Sequence, residues 1–300
     1  MEEENKMETE IILVHVNKFY GNKQALCDVN LHIEQGMFGL LGRNGAGKTT
    51  LMKVITTLLP ASGGDIHVCG IPVKEERKVR SIIGYLPQDF SMYGNMTVYE
   101  AMDYLGVLSG LDKKTRKQRI PELLRRVNLQ NNKRTKVKAM SGGMKRRLGI
   151  AQAILHDPKV LIVDEPTAGL DPEERVRFRN LLSEIADDRI VILSTHIVGD
   201  IEATCEKIAI MDAGNIIFNG TVAELLEHAD GKIYTATVSK IEIEDIKKRY
   251  LVTNMLRMPT EVTVRFVAGP EEEVFEGATS CTPNVEDAYM YLMHEKRGDR

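Results

Sequence analysis

The chain has 300 residues, 43% of them apolar, with a formal net charge of −3 and four cysteines. That length allows one large domain plus a smaller one, and the apolar share is ample for a core. The near-neutral charge argues against general binding to nucleic acid or anionic lipid, and the scattered Cys27, Cys69, Cys205 and Cys281 read as reduced packing residues of a reducing compartment.

Residues 1–10 carry Glu2, Glu3, Glu4, Glu8 and Glu10 and read as a disordered acidic tail. They lack the basic and apolar regions of a secretory signal, so none is expected. No uninterrupted apolar run approaches the ~18 residues of a spanning helix, so any membrane role is expected to come through a partner. Strands are predicted over residues 11–17 and 26–33, which are apolar or β-branched with partial alternation. The apolar run 37–41 suits a buried parallel strand.

That strand leads into Gly42-Arg43-Asn44-Gly45-Ala46-Gly47-Lys48-Thr49-Thr50, which fits the P-loop pattern. The glycines let successive backbone N–H groups turn onto phosphate oxygens. Lys48 can reach the terminal phosphates, and the Thr49 hydroxyl can ligate Mg²⁺. A helix follows with Leu51, Val54, Ile55, Leu58 and Leu59 at helical spacing, and Pro60 is expected to stop it. Further strands are predicted over 66–69 and 82–85. From about Thr97 to residue 140 the composition becomes charged and helical, with helices predicted over 98–108 and 115–127 and Pro121 near a start or kink.

Strands over 160–163 and 190–193 flank a helix predicted over 172–186, a spacing that implies a right-handed parallel crossover. The first delivers Asp164 and Glu165 at its carboxyl end, where ligands of α/β sheets bind, and the second delivers His196 to the same end. Asp164 fits a magnesium carboxylate, Glu165 is placed to orient and deprotonate an attacking water, and His196 fits a γ-phosphate sensor. Residues 208–212 and 215–219 flank Ala213-Gly214 as a hairpin. The tail, residues 230–300, reads as a separate β/α unit with strands over 232–239 and 261–268 and a helix from Asn284.

Between the P-loop and Asp164 lies Met140-Ser141-Gly142-Gly143-Met144-Lys145-Arg146-Arg147, a second helix start of the phosphate-binding type. With that motif in this order, the chain resembles the ATP-binding subunit of an ABC transporter over roughly residues 10–225. The resemblance implies that Tyr20 stacks on adenine, that 42–49 is the Walker A loop, and that Gln88 is the Q-loop glutamine touching Mg²⁺ and the membrane partner. It further implies that Ser141, Gly142 and Gly143 are the signature sequence, that Asp164 and Glu165 are the Walker B acid and catalytic base, that Ala168-Gly169-Leu170-Asp171 is the D-loop, and that His196 is the switch histidine.

The implied fold class is α/β, a P-loop NTPase core of mostly parallel sheet with a β-rich N-terminal subdomain and a helical insert. That ATPase domain would span residues 11–226, with the small C-terminal β/α domain after it. The implied ligands are ATP and Mg²⁺. The implied partners are a second ATPase subunit, expected to be an identical copy, and a separate transmembrane permease, with the protein cytoplasmic on the inner face of the cell membrane.

Ser-Gly-Gly-Met-Lys-Arg-Arg resembles the drug- and antibiotic-exporting subset, with Met140 and Met144 in place of the usual Leu and Gln. Pro283-Asn284-Val285-Glu286-Asp287-Ala288-Tyr289 resembles a tail helix of exporter ATPases, the alternative being an ordinary capped helix with an apolar face. The basic cluster Lys133, Arg134, Lys136, Lys138, Lys145, Arg146 and Arg147 reads as a solvated face, and no nucleic acid is expected. An ABC-type switch in DNA repair or translation is the alternative, although no second cassette or coiled-coil insertion is present. A small-molecule kinase would leave Ser141-Gly142-Gly143 and His196 without a purpose.

Overall fold

Two β-sheets share one core in the first part of the chain. The computed structural model describes residues 9–269 and 272–298. β1 (Glu10–Tyr20) and β2 (Lys23–Glu34) pair antiparallel, then β3 (Gly36–Gly42) runs into the P-loop and α1 (Lys48–Ile55). β4 (Gly63–Val68), β5 (Ile71–Pro72), α2 (Glu76–Ile82) and β6 (Ile83–Leu86) follow. The insert holds α3 (Val98–Leu108) and α4 (Lys113–Arg126), and a bridge between Thr97 and Lys136 closes its ends. Next come α5 (Gly142–Ala153), β7 (Val160–Asp164), α6 (Pro172–Ala186), β8 (Ile190–Thr195), α7 (Val198–Glu202), β9 (Lys207–Asp212) and β10 (Asn215–Thr221).

The first sheet has the order β2-β1-β4-β5 and is antiparallel; the second has the order β10-β9-β3-β8-β7-β6. β9, β3, β8, β7 and β6 are mutually parallel, and β10 follows β9 through two residues, a connection short enough only for an antiparallel hairpin. This is the mostly parallel α/β core with a β-rich N-terminal subdomain that the sequence predicts. Strands of the parallel sheet are apolar throughout: all five residues of β7 and all six of β8 are buried. Ile11, Leu13 and Val16 of β1 meet Leu51, Met52 and Ile55 of α1 and Ile162 and Ile192 of the parallel strands in a single cluster. At about 2 kcal/mol for each large side chain buried, α1 is anchored by this face rather than by its eight-residue length.

Several boundaries differ from the sequence reading. The acidic tail expected over residues 1–10 lies outside the described residues up to residue 8, while Glu10 already pairs with Glu34 in β1. α1 ends at Ile55 and not at Pro60, because Thr57 takes a left-handed φ of 61°. Arg80 holds that turn, donating from Nε to the Thr57 hydroxyl at 2.7 Å and from Nη2 to its carbonyl at 3.0 Å. Pro121 sits inside α4, nearer its C-terminal half than its start.

The chain divides between Asn219 and Gly220, ahead of the 226–230 boundary read from sequence. The second unit begins with α8 (Val222–Ala229), followed by β11 (Ile233–Ser239), α9 (Ile243–Arg249), β12 (Leu251–Arg257), β13 (Glu261–Val267), β14 (Thr279–Ser280) and α10 (Val285–Gly298). α8 belongs here because α10 packs on it, with His228 Nε2 2.9 Å from Glu295 Oε2. The sheet order is β12-β13-β11-β14, all antiparallel, over a small core containing Phe266, Val264 and Ile246.

Asp287, 1% exposed, is the hub of this unit. Its backbone N–H donates to Asn284 Oδ1 at 2.8 Å, the Asn284 N–H donates back to Asp287 Oδ2 at 3.1 Å, and Arg265 and Thr253 donate to the same carboxylate. Burial pushes the Asp287 carboxyl up, but the bonds from Arg265, Thr253 and Asn284 outweigh it, and the pKa is held below the ordinary carboxylate value. A depressed folded-state pKa means that this stability is present above the unfolded value of about 3.9 and is lost as pH falls through the folded value. Asp287→Asn is expected to destabilise the unit by about 3 kcal/mol, and faster hydrogen exchange of the α10 amides at neutral pH would register it. Unchanged exchange would show that the hub carries no net stability.

Candidate functional site

The loop after β3 can turn only where its glycines allow. Gly47 has φ 110°, and a Cβ there would meet the Ala25 carbonyl oxygen at 2.7 Å; one on Gly42 would meet the Met211 carbonyl oxygen at 2.4 Å. The Gly214 N–H, in the β9–β10 turn, donates to the Ala46 carbonyl at 2.8 Å and buttresses the loop from outside. α1 then starts at Lys48 with no side-chain cap, so its first N–H groups point into the loop without a partner from a capping residue. A helix start of that kind is a ready anion site.

Lys48 is only 5% exposed and folds back over the loop. Its Nζ donates to the Gly42 carbonyl at 2.6 Å and lies 3.3 Å from Glu165 Oε1. Glu165 holds a left-handed φ of 49°, a costly conformation for a residue with a long side chain. It is fixed by its own N–H, which donates to the Ser194 carbonyl at 2.8 Å, and its Oε2 lies 2.7 Å from His196 Nδ1.

Asp164, fully buried, accepts from the Ser194 hydroxyl at 2.8 Å through Oδ1, while Oδ2 has no hydrogen-bond partner among the described residues. The Tyr85 hydroxyl nearby is likewise buried and unpartnered; burial, and then the charge of Asp164, push its pKa above the ordinary phenol value. Two unsatisfied buried oxygens at one place are expensive in a structural interior.

A cavity of about 690 Å³ opens in front of Lys48 and Glu165. Tyr20, Arg43, Asn44, Gly45, Ala46, Gly47, Lys48, Thr49, Thr50, Gln88 and Glu165 all line it. Tyr20 is 47% exposed, with Lys18 Nζ 5.6 Å from its ring centroid. His196 joins through Glu165, and Gly42 through its carbonyl to Lys48. The structure therefore brings Tyr20, residues 43–50, Gln88, Glu165 and His196, which lie far apart in the sequence, to one place.

Ser141, Gly142, Gly143 and Asp171 do not line this cavity. Ser141 caps α5, accepting from the Met144 N–H at 3.2 Å, and Asp171 caps α6, accepting from the Glu174 N–H at 2.9 Å. Arg147 of α5 pairs with Glu174 of α6, so the two helix starts form one tied surface. A Cβ on Gly143 would meet Glu174 Oε2 at 2.8 Å, which shows how closely they pack. One chain thus carries a glycine-rich helix start at Lys48 that opens on the cavity and a second, at Ser141, that does not line it.

The family model described as ABC transporter matches residues 26–168. The ABC transporter ATP-binding protein YxlF of Bacillus subtilis is 34% identical, over 92% of this chain and 97% of that protein. The chain belongs to the ATP-binding proteins of ABC transporters. As an ABC ATPase it binds nucleotide, and its reaction is the hydrolysis of ATP coupled to transport.

This ABC ATPase is also 34% identical to the linearmycin resistance ATP-binding protein LnrL of Bacillus subtilis, over 83% of this chain and 80% of the relative. It is 36% identical to a Nod factor export ATP-binding protein I of Cupriavidus pinatubonensis, over 72% and 67%. A solved structure described as the ATP-binding subunit of an ABC transporter superposes with a TM-score of 0.67 at 28% identity, covering 73% of this chain and 92% of that one.

Ser194 is a residue whose part sequence reasoning did not single out. The parallel register pairs it directly with Asp164 across β7 and β8, and a polar residue at the end of an otherwise apolar strand was its only signal.

Proposed function

We propose that this ABC ATPase drives an exporter by closing on ATP as a dimer and reopening after hydrolysis. The observation that carries the dimer is the separation just described: the cradle at Lys48 and the helix start at Ser141-Gly142-Gly143 belong to one chain but not to one cavity. Two copies facing head to tail would let the second complete the γ-phosphate shell of the first. Lys48 would leave its loop carbonyls for the terminal phosphates, and the N–H groups of 45–50 would hold the β-phosphate. Tyr20 would take the adenine face. Asp171 would lie at the seam between the two copies.

Glu165 would take a proton from the attacking water, and His196, 2.7 Å away, would hold that carboxylate and sense the γ-phosphate. Magnesium fits the donor set, because Oδ2 of fully buried Asp164, without a hydrogen-bond partner among the described residues, calls for a cation, and Thr49 and Gln88 supply neutral oxygens to the cavity lined by Glu165, the next residue in the chain. The ion would draw charge from the β- and γ-phosphates when bound.

Among the described residues no helix is long and apolar enough to cross a membrane, so attachment would run through a separate permease on the inner face. Exposed Tyr93, Tyr104, Val107 and Leu108 support a docking face for it. Tyr104, Val107 and Leu108 share one face of α3, and the Tyr93 ring meets Tyr104 edge-on at 5.4 Å. The export direction is supported by the relatives concerned with linearmycin resistance and Nod factor export and by the Ser-Gly-Gly-Met helix start.

The test is to purify tagged Glu165→Gln protein from detergent-solubilised membranes with Mg-ATP and identify the co-purifying chains by mass spectrometry. A multi-spanning protein at near-stoichiometric yield is expected. Recovery only with ribosomes, DNA or soluble partners would replace transport with a switch function.

A further inference from the structure

Glu165 does not stand alone against the segment that carries His196. Two residues further on, the Thr167 hydroxyl donates to Asp200 Oδ2, four residues beyond His196. The segments 165–167 and 196–200 are therefore joined twice, once at the mouth of the nucleotide cavity and once behind it. The second connection is wholly interior: Thr167 is 1% exposed and Asp200 fully buried.

A buried aspartate is ordinarily there to complete an ion pair, and two arginines of α6 do approach this one. Arg179 Nη1 and Arg175 Nε stand 3.6 and 3.8 Å from Asp200 Oδ1, beyond hydrogen-bond reach, and that oxygen and the Arg175 Nε both lack a hydrogen-bond partner among the described residues. The arginines offset the charge without fixing its geometry. Among the described residues, the side-chain hydrogen bond that the Asp200 carboxylate accepts comes from Thr167. A left-handed glutamate persists only where its surroundings over-determine it. Before the strained residue the restraint is the parallel sheet, and after it the restraint is Thr167.

We infer that Asp200 is a positioning residue for ATP hydrolysis: through Thr167 it holds the backbone of Glu165 in the left-handed turn that aims the carboxylate at His196 and the nucleotide cavity. The inference rests on reading Glu165 as the base. Nucleotide binding itself, carried by the loop 42–50, lies outside this linkage. Loosening it should therefore impair turnover and leave ATP affinity alone.

The test is steady-state ATP hydrolysis by the full chain carrying Thr167→Val, which keeps the shape and removes the donor, beside Thr167→Ser, which restores it. Thr167→Val is expected to lower kcat about tenfold or more with KM for ATP within about twofold, since small misplacements of a reacting group cost up to about a hundredfold. Thr167→Ser should recover most of the rate, and Thr167→Val added to Glu165→Gln should lower the residual rate no further. A Thr167→Val enzyme with kcat close to wild type would overturn the inference. So would parallel loss of kcat and ATP binding that serine does not rescue, because that is the behaviour of a merely structural contact. A normally active Lys48→Ala protein would instead remove the ATPase reading beneath it, so the two failures are told apart.

Discussion

Lys48→Ala is expected to lower ATP hydrolysis by about a hundred- to a thousandfold, the usual cost of deleting one charged or hydrogen-bonding group from a preorganised site. The ammonium is 5% exposed and already desolvated, so its attraction for a triphosphate is little screened. Arg43 and Lys23 also line the cavity, and Lys48 is held in it by direct contacts with Gly42 and Glu165. The alanine variant also removes the ammonium 3.3 Å from Glu165 Oε1, a buried oxygen with no hydrogen-bond partner among the described residues, so a fall in thermal stability should accompany the loss of turnover. Hydrolysis and nucleotide affinity measured on protein shown by circular dichroism to be folded would check this. Normal turnover would remove Lys48 from the chemistry.

Glu165→Gln should separate binding from hydrolysis. The amide keeps the length and shape of the side chain and its reach to His196, but it cannot take a proton from water, and a loss of about a thousandfold in kcat is expected. ATP affinity should be nearly unchanged, because the loop N–H groups and Lys48 are intact. The expected physical consequence is a stalled, closed pair of subunits, seen as a dimer on a sizing column with Mg-ATP and as a monomer without it. A protein that stayed monomeric while binding ATP would require the chemistry to be completed within one chain, contrary to the placement of Ser141-Gly142-Gly143 outside the cavity.

Where local signals and tertiary demands agree, the sequence was readable. The bounds of α3 and α6 follow from their caps, Thr97 with Glu100 and Asp171 with Pro172, and both helices match the sequence reading residue for residue. The buried strands ending at Gly42, Asp164 and Thr195 announce themselves as apolar runs, and the site assembles because all three end on the same side of one sheet.

Legibility fails in two ways. α8 carries a full capping box, Thr221 with Glu224, yet its eight residues are too few for periodicity to stand out, and β12 is an edge strand whose last four residues are exposed. The linkages from Thr167 to Asp200 and from Arg147 to Glu174 join residues 33 and 27 apart. No spacing rule reveals them, since their meeting depends on how β7, β8, α5 and α6 come to lie beside one another.

The left-handed backbone at Glu165 has a consequence for how this ATPase could change over generations. Asparagine or glycine would sit in that conformation with less strain, and neither would bury a carboxylate there. Heat tolerance and turnover therefore pull position 165 in opposite directions. A lineage released from the need to hydrolyse ATP would have a thermodynamic reason to abandon the glutamate, while one that still cycles has to maintain, in the surrounding fold, the rigidity that keeps it in place.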